Sequence, residues 1–152
     1  MRHVLHLSIA LLVSAAAVSA FGADAPKSGP PAAASANAAK SPQGAAYLAW
    51  VKAVKAKDIE AWKKVVPAEA VKQLDAQAKE MGKKPVDVLE FMGLMTPEEN
   101  TITGVKVDGN KATLSVVGKT KGEAGTSYGT IQMVQEGGSW RVGKQSWEMK
   151  DK

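Results

Sequence analysis

The sequence predicts an α+β fold in which helices come first and an antiparallel sheet follows. Between residues 45 and 95, apolar side chains recur at the three-to-four-residue spacing of helices that bury one face. From residue 102 onward the period changes, and apolar or β-branched residues alternate with polar ones between Gly-containing turns. Helices grouped before strands are typical of a sheet that helices cover on one face. We therefore expect a single domain at residues 45–152, with about four strands.

Four helices are expected in the first half of this domain. The first contains the apolar residues of the segment 47–54. The later three begin at residues that favour a helix N-terminus, which are Asp58, Pro67 and Pro85. Gly82 is expected to end the third helix, and the fourth is expected to stop at Gly93 or at Thr96-Pro97.

Strands are expected at residues 102–107, 112–117, 128–135 and 140–149. Asp108-Gly109-Asn110 separates the first two strands, and Glu136-Gly137-Gly138 separates the last two. Both segments have the composition of turns that close antiparallel hairpins. Residues 119–126 form a looser connection, so the sheet is expected to contain two hairpins.

Residues 1–20 have the organisation of a cleavable signal peptide. Arg2 gives a positive start, residues 4–13 are almost continuously apolar, and small residues follow. Val18-Ser19-Ala20 favours cleavage after Ala20, with cleavage after Ala23 as the alternative. An uncleaved anchor would need about 20 apolar residues, and the small residues that end this run disfavour it. The domain is therefore expected to be periplasmic or secreted, with no stable membrane anchor.

The composition of residues 21–44 predicts a disordered linker between the signal peptide and the domain. From Asp24 onward the segment consists mostly of Ala, Pro, Ser and Gly and lacks large apolar residues. Such a composition cannot offset the entropy lost when a backbone is ordered. We expect it to act as a spacer.

Missing residue types exclude several classes of chemistry. The chain has no cysteine, which excludes disulfides, thiol catalysis, thiolate metal sites and a lipid anchor on cysteine. Both histidines, His3 and His6, lie in the predicted signal peptide. The mature protein is therefore expected to lack a His-based triad, a His general base and an ordinary zinc or copper site. No cofactor is expected.

The charge balance is basic, with 20 Lys and Arg against 15 Asp and Glu, a net charge of +5 and a pI near 9.4. After the signal peptide, Arg141 is the single arginine, and most lysines stand among carboxylates. Dispersed lysine is typical of a soluble surface, whereas phosphate recognition favours arginine. We expect no nucleic-acid partner.

A family resemblance is carried by the helical segment 47–58, Trp62 in the short second helix, the strand pair within 105–114, and the closing segment 137–142. Over roughly residues 45–149 the chain resembles small exported members of the nuclear transport factor two-like superfamily, which includes ketosteroid isomerase and scytalone dehydratase. The resemblance implies a curved sheet wrapped against helices as a cone-shaped roll. In some relatives the cone holds a small apolar ligand or an active site, and in others it is filled and the sheet forms dimers. It therefore implies a homodimer through the sheet as well.

Aromatic side chains are the candidates for a ligand site in such a cone. The predicted ligand-binding residues are Tyr47, Trp62, Phe91, Tyr128 and Trp147. The alternative, which we favour for most of them, is that the tryptophans supply the core, since each buries on the order of 200 Å². Tyr128 and Trp147 are the best candidates for exceptions, because they lie among polar residues on strands.

Charged clusters suggest weaker alternatives. Asp87 and Glu90 share a helix face near Glu98-Glu99, where they could bind a divalent ion or act as an acid–base pair. Four lysines on the first two helices could meet an anionic lipid: Lys52, Lys55, Lys63 and Lys64. A solvated helix surface explains both clusters more simply.

Three hypotheses for function follow. The first is a non-enzymatic exported domain that binds a small ligand or an envelope protein. The second is a cone-fold enzyme that uses a buried carboxylate with Tyr47 or Tyr128 as proton donor, although no carboxylate aligns with the base of the superfamily's enzymes. The third is an interaction or immunity-type protein with a filled cone, which an exposed apolar patch on the sheet would support.

Overall fold

The computed structural model describes residues 37–119 and 126–150, and it confirms the predicted α+β class. The elements, in chain order, are α1 (Pro42–Ala56), α2 (Ile59–Lys63), α3 (Ala68–Glu80), α4 (Pro85–Met95), β1 (Glu99–Asp108), β2 (Lys111–Lys119), β3 (Thr126–Glu136) and β4 (Ser139–Lys150). The predicted signal peptide and residues 21–36 of the predicted linker lie outside the described residues.

Helix α1 begins earlier than the predicted domain boundary at residue 45. The Ser41 hydroxyl accepts a hydrogen bond from the Gly44 N–H at 3.0 Å, and Pro42 occupies the first turn. These are strong helix-start signals, so the last residues of the predicted linker belong to the ordered domain. Helix α1 ends at Ala56. The next residue, Lys57, has a left-handed backbone (φ 57°), and its N–H donates to the carbonyls of Ala53 and Val54.

The remaining helices start where the sequence predicts. An Asp58 carboxylate oxygen accepts from the Ala61 N–H at 2.9 Å and caps α2. In α4 the Asp87 side chain accepts from the Lys84 N–H at 2.9 Å. Helix α4 continues past Gly93 and ends at Met95, and Gly93 packs against α1, since a Cβ there would lie 3.2 Å from the Val54 carbonyl oxygen. None of the helices within the described ranges is long and apolar enough to cross a membrane.

The four strands form one antiparallel sheet in chain order, β1-β2-β3-β4. Gly109, Gly137 and Gly138 supply the positive φ angles of the two predicted hairpin turns. The register shifts at Thr103 in β1 and at Gly143-Lys144 in β4. Such bulges bend a strand and increase its twist.

The core lies between the helices and one face of the sheet, here called the inner face. Its largest fully buried side chains come from α1, α4 and three strands: Tyr47, Val54, Leu89, Leu114, Val116, Ile131 and Val142. Trp50 and Trp62 are buried with them, as the packing alternative predicts, whereas Trp140 and Trp147 are half-buried. The Val142 N–H donates to the Val65 carbonyl at 2.7 Å and ties the end of α2 to β4.

Candidate functional site

The inner face has two distinct ends, which the register and the helix contacts define. At one end Asn100, Gly118, Ser127 and Met149 form one row across the sheet. Tyr47 near the start of α1 bonds to this row. At the other end Val142 meets the residues that follow α2. Of the five predicted ligand-binding residues, Tyr47 and Trp147 lie at the Asn100 end.

Tyr47 is fully buried, and its hydroxyl group has one defined partner. It donates to Asn100 Oδ1 at 3.0 Å, and Asn100 Nδ2 donates to the Pro97 carbonyl at 2.8 Å. The ring stacks on Trp50 with the centroids 6.1 Å apart. Burial raises the pKa of Tyr47 above its usual range near 10. The phenol therefore remains a neutral hydrogen-bond donor at physiological pH.

Trp147 lies flat on the inner face, over two glycines of neighbouring strands. A Cβ added at Gly129 would lie 2.7 Å from the indole ring, and one at Gly118 would lie 3.1 Å from it. The same added atom at Gly118 would lie 2.5 Å from the Pro97 ring. Contacts below 3.0 Å are not tolerated, so only glycine leaves room for these rings. We call the surface formed by Gly118, Gly129 and Pro97 the Trp147 shelf.

Pro97 connects the two features. Its carbonyl group accepts the hydrogen bond from Asn100, and its ring borders Gly118 beside the Trp147 indole. The Asn100 end therefore combines an apolar shelf with one uncharged polar pair, Tyr47 and Asn100.

The other three predicted site residues lie elsewhere. Trp62 is buried toward the opposite end, and its indole N–H is buried without a hydrogen-bond partner. Phe91 lies on the solvent-facing side of α4, 55% exposed, and shares that side with Leu94 and Met95. Tyr128 lies on the outer face of the sheet, between Val117 of β2 and Glu148 of β4. The structure therefore brings two of the five predicted residues, Tyr47 and Trp147, to the same end of the sheet and places the other three elsewhere.

The carboxylates give no candidate for a catalytic base. Within the described ranges every Asp and Glu residue is exposed, whereas the enzyme hypothesis required a buried one. Glu90 forms an ion pair with Lys57, and Asp87 caps α4, so both have structural partners. Among the described residues no group of three or more potential ligands could hold a metal ion.

Sequence reasoning missed the residues that shape the Asn100 end. Gly118, Gly129 and Asn100 were assigned no role and Pro97 was considered only as the end of a helix, although glycines inside strand patterns often mark a close approach of another group. Their pairing with Trp147 depends on the register of three strands, which alternating hydrophobicity does not specify between strands.

Comparison with known proteins yields a match among solved structures. No family model matches the sequence, and no curated protein matches it significantly. A solved structure of an NTF-2-like protein of unknown function from Silicibacter pomeroyi is similar to this chain, with a TM-score of 0.46 and 16% sequence identity. The match covers 70% of this chain and 91% of the other protein.

Proposed function

We propose that this protein is an exported, non-enzymatic domain that binds a small, mainly apolar ligand at the Asn100 end of the sheet. The observation that carries the proposal is the Trp147 shelf, where two inner-face positions of neighbouring strands hold no side chain. The half-buried Trp147 indole and the Pro97 ring lie where the missing side chains would be, so this part of the inner face is lined by flat rings. A flat surface next to a half-buried aromatic residue and an uncharged polar pair suits the recognition of a small ring system.

The exposed carboxylates favour binding over catalysis. The enzyme alternative needs an ionisable group in an apolar environment, and the described Asp and Glu side chains are all at the surface. Tyr47 keeps its proton and bonds to Asn100, so it is suited to donate a hydrogen bond rather than to transfer a proton.

Native mass spectrometry of the protein recovered from the periplasm or the medium tests this function. We expect a non-covalently bound small molecule that is lost when the protein is denatured. A Gly118→Leu variant, whose side chain would collide with Pro97, should lose that molecule, whereas a Gly104→Ala variant should retain it, since its added Cβ meets nothing closer than 3.7 Å. A wild-type protein that carries no molecule, and takes up none from a cell extract, contradicts the proposal.

A protein partner is a second candidate, which the solvent-facing side of α4 favours. Phe91, Leu94 and Met95 lie three and four positions apart and form an exposed apolar stripe, with Leu94 78% exposed. The interaction-protein hypothesis anticipated an exposed apolar patch on the sheet. In the described strands the exposed large apolar residues are Val107 and Met149, which lie near strand ends and form no such patch. Loss of a co-purifying envelope protein in Leu94→Glu, but not in Val107→Glu, would support this candidate.

We also propose that the outer face of the sheet forms a homodimer. Its central row consists of Gly104, Ser115, Thr130 and Ser146, which carry no charge. Charged residues lie toward the margin of the same face, for example Lys106, Arg141 and Glu148. An uncharged centre with a charged rim is the arrangement of many protein interfaces.

A further inference from the structure

Leu94 of α4 is the most exposed large apolar side chain in the described parts of the chain, at 78%. Phe91 and Met95 share its side of the helix and are exposed as well. Helix α4 packs on α1 and α3, and its other side buries Val88 and Leu89. We call Phe91, Leu94 and Met95 the α4 stripe, an apolar surface that remains in solvent after the domain has folded.

Charges of opposite sign lie at the two ends of α4. Lys83-Lys84 come directly before the helix and Glu98-Glu99 follow it, and all four side chains are exposed. A single helix favours the reverse order, because its N-terminus carries a partial positive charge and its C-terminus a partial negative one. Asp87 caps the first turn, and the Lys55 ammonium donates to the Glu98 carbonyl at 2.6 Å, so both ends are partly compensated. The stability of α4 within one chain therefore does not account for the two lysines and the two glutamates.

We propose that the α4 stripe binds the α4 stripe of a second copy, with the two helices antiparallel across a twofold axis. In such a pair the lysines before one helix lie beside the glutamates after the other, so every end meets the opposite charge. Phe91 lies seven positions after Lys84 and seven before Glu98. The axis that pairs the charged ends therefore passes next to Phe91, so the charges and the apolar stripe require the same alignment.

The same charges argue against two other arrangements. A parallel pair would bring Lys83-Lys84 of both copies together, and Glu98-Glu99 likewise. An anionic lipid surface would face Asp87 and Glu90, which share the exposed side of α4 with the stripe. An antiparallel second copy therefore suits both the apolar and the charged residues.

The contact is small, so we expect it to be weak. Helix α4 has 11 residues and is about 16 Å long, and a pair of such helices belongs to the small interfaces, below about 1,200 Å², whose complexes are transient. It lies on the helical side of the domain, whereas the proposed homodimer uses the outer face of the sheet, so the two contacts can coexist. This inference rests on the protein-partner candidate above, because it specifies the partner of the same stripe. It is independent of ligand binding at the Asn100 end.

Sedimentation velocity of the mature protein, from micromolar to near-millimolar concentrations, tests the contact. We expect the average mass to rise toward twice its micromolar value. Leu94→Glu should abolish the rise, whereas Val107→Glu, which adds the same charge at an exposed apolar position of β1, should retain it. Thr130→Lys should also retain it, because that position lies on the sheet. A wild-type mass that stays constant, or a rise that Thr130→Lys abolishes, overturns the α4 contact and leaves the stripe to a different protein.

A charge exchange tests the antiparallel alignment. The variants Lys83→Glu/Lys84→Glu and Glu98→Lys/Glu99→Lys each carry like charges at both ends of α4, so each alone should keep its micromolar mass. In an equimolar mixture each end meets the opposite charge, and the association constant should be at least about tenfold above that of either variant alone. If the mixture associates no better than the separate variants, the alignment is wrong, and this holds even if Leu94→Glu does not fold.

Discussion

The Tyr47 hydroxyl donates to Asn100 Oδ1 at 3.0 Å and joins α1 to β1 across 53 positions of the chain. The Tyr47 side chain is fully buried, and Asn100 is half-buried. Asn100 in turn donates to the Pro97 carbonyl, so one side chain fixes both the helix and the segment that leads into β1. The pair therefore sets the position of α1 on the sheet next to the Trp147 shelf.

The first prediction concerns the pH dependence of stability. Burial raises the pKa of Tyr47, whereas in the unfolded chain the phenol ionises near pH 10. Above that pH the unfolded state binds fewer protons than the folded state, so the free energy of unfolding falls as pH rises, by up to about 1.4 kcal/mol per pH unit. Below about pH 10 the phenol is protonated in both the folded and the unfolded state, so the protein keeps this part of its stability.

Tyr47→Phe is the matched variant for this measurement. The free energy of unfolding can be measured by urea unfolding, followed by tryptophan fluorescence, between about pH 8 and pH 11. As pH rises, it should fall less steeply in the variant than in the wild type. Near neutral pH the variant should be less stable by about 1–2 kcal/mol, because Asn100 Oδ1 loses its donor. Equal slopes for the two proteins above pH 10 would contradict the prediction.

The second prediction concerns Lys57, the one non-glycine residue with positive φ within the described ranges. A left-handed backbone costs a residue with a side chain about 1 kcal/mol, and glycine avoids this cost. Lys57→Gly also removes the exposed ion pair with Glu90, which contributes less than about 1 kcal/mol. We expect the variant to be more stable by roughly 0.5 kcal/mol.

Glu90→Gln isolates the ion pair, since it leaves the backbone of Lys57 unchanged. Thermal unfolding should rank Lys57→Gly above the wild type and Glu90→Gln slightly below it. If Lys57→Gly is the least stable of the three, loss of the ion pair does not account for its stability, because Glu90→Gln lacks the same pair, and the argument from φ fails.

The third prediction concerns the proposed homodimer. Light scattering on the purified protein should give twice the monomer mass at micromolar concentrations. Thr130→Lys places two like charges near the twofold axis of such a dimer and should yield a monomer. Gln77→Lys adds the same charge to an exposed position of α3 and should remain dimeric. A wild-type monomer at these concentrations rejects the interface.

The fourth prediction concerns export. N-terminal sequencing of protein recovered outside the cytoplasm should begin at Phe21, or at Asp24 if cleavage follows Ala23. An Ala20→Lys variant should shift or block the cleavage, because the peptidase accepts small residues at that position. Recovery of the chain with Met1 retained, in the cytoplasm alone, would exclude the predicted signal peptide.

The helices and strands could be predicted from the sequence, because the residues that start a helix or close a hairpin turn act locally. Asp58, Pro67 and Pro85 each mark a helix start within one residue of the observed one, and the glycines of both hairpin turns have the predicted conformation. The start of α1 was placed too late, because the Ser41-Pro42 start signal lies inside an Ala- and Pro-rich segment that resembles a linker.

The site was predictable only in part, because its geometry depends on relations between elements. Phe91 lies on a helix that is apolar on nearly all sides, so periodicity does not show which side faces the core. Trp147 meets Gly129 only in the register that follows the bulge at Gly143-Lys144, and a shift of one residue would place it on the outer face. Tyr47 and Trp147 were identified as candidates, whereas the glycines beneath the indole were not.

The chain-order arrangement of the strands has a consequence for the folding of the protein. Each strand pairs with its neighbour in the chain, so the loops that must close to form the sheet are short and the contact order of the sheet is low. The contacts of α1 with β1 and β4 span much longer stretches of chain. We therefore expect the sheet to assemble first as hairpins and α1 to dock late, so that a change in either hairpin turn slows folding more than an equally destabilising Tyr47→Phe.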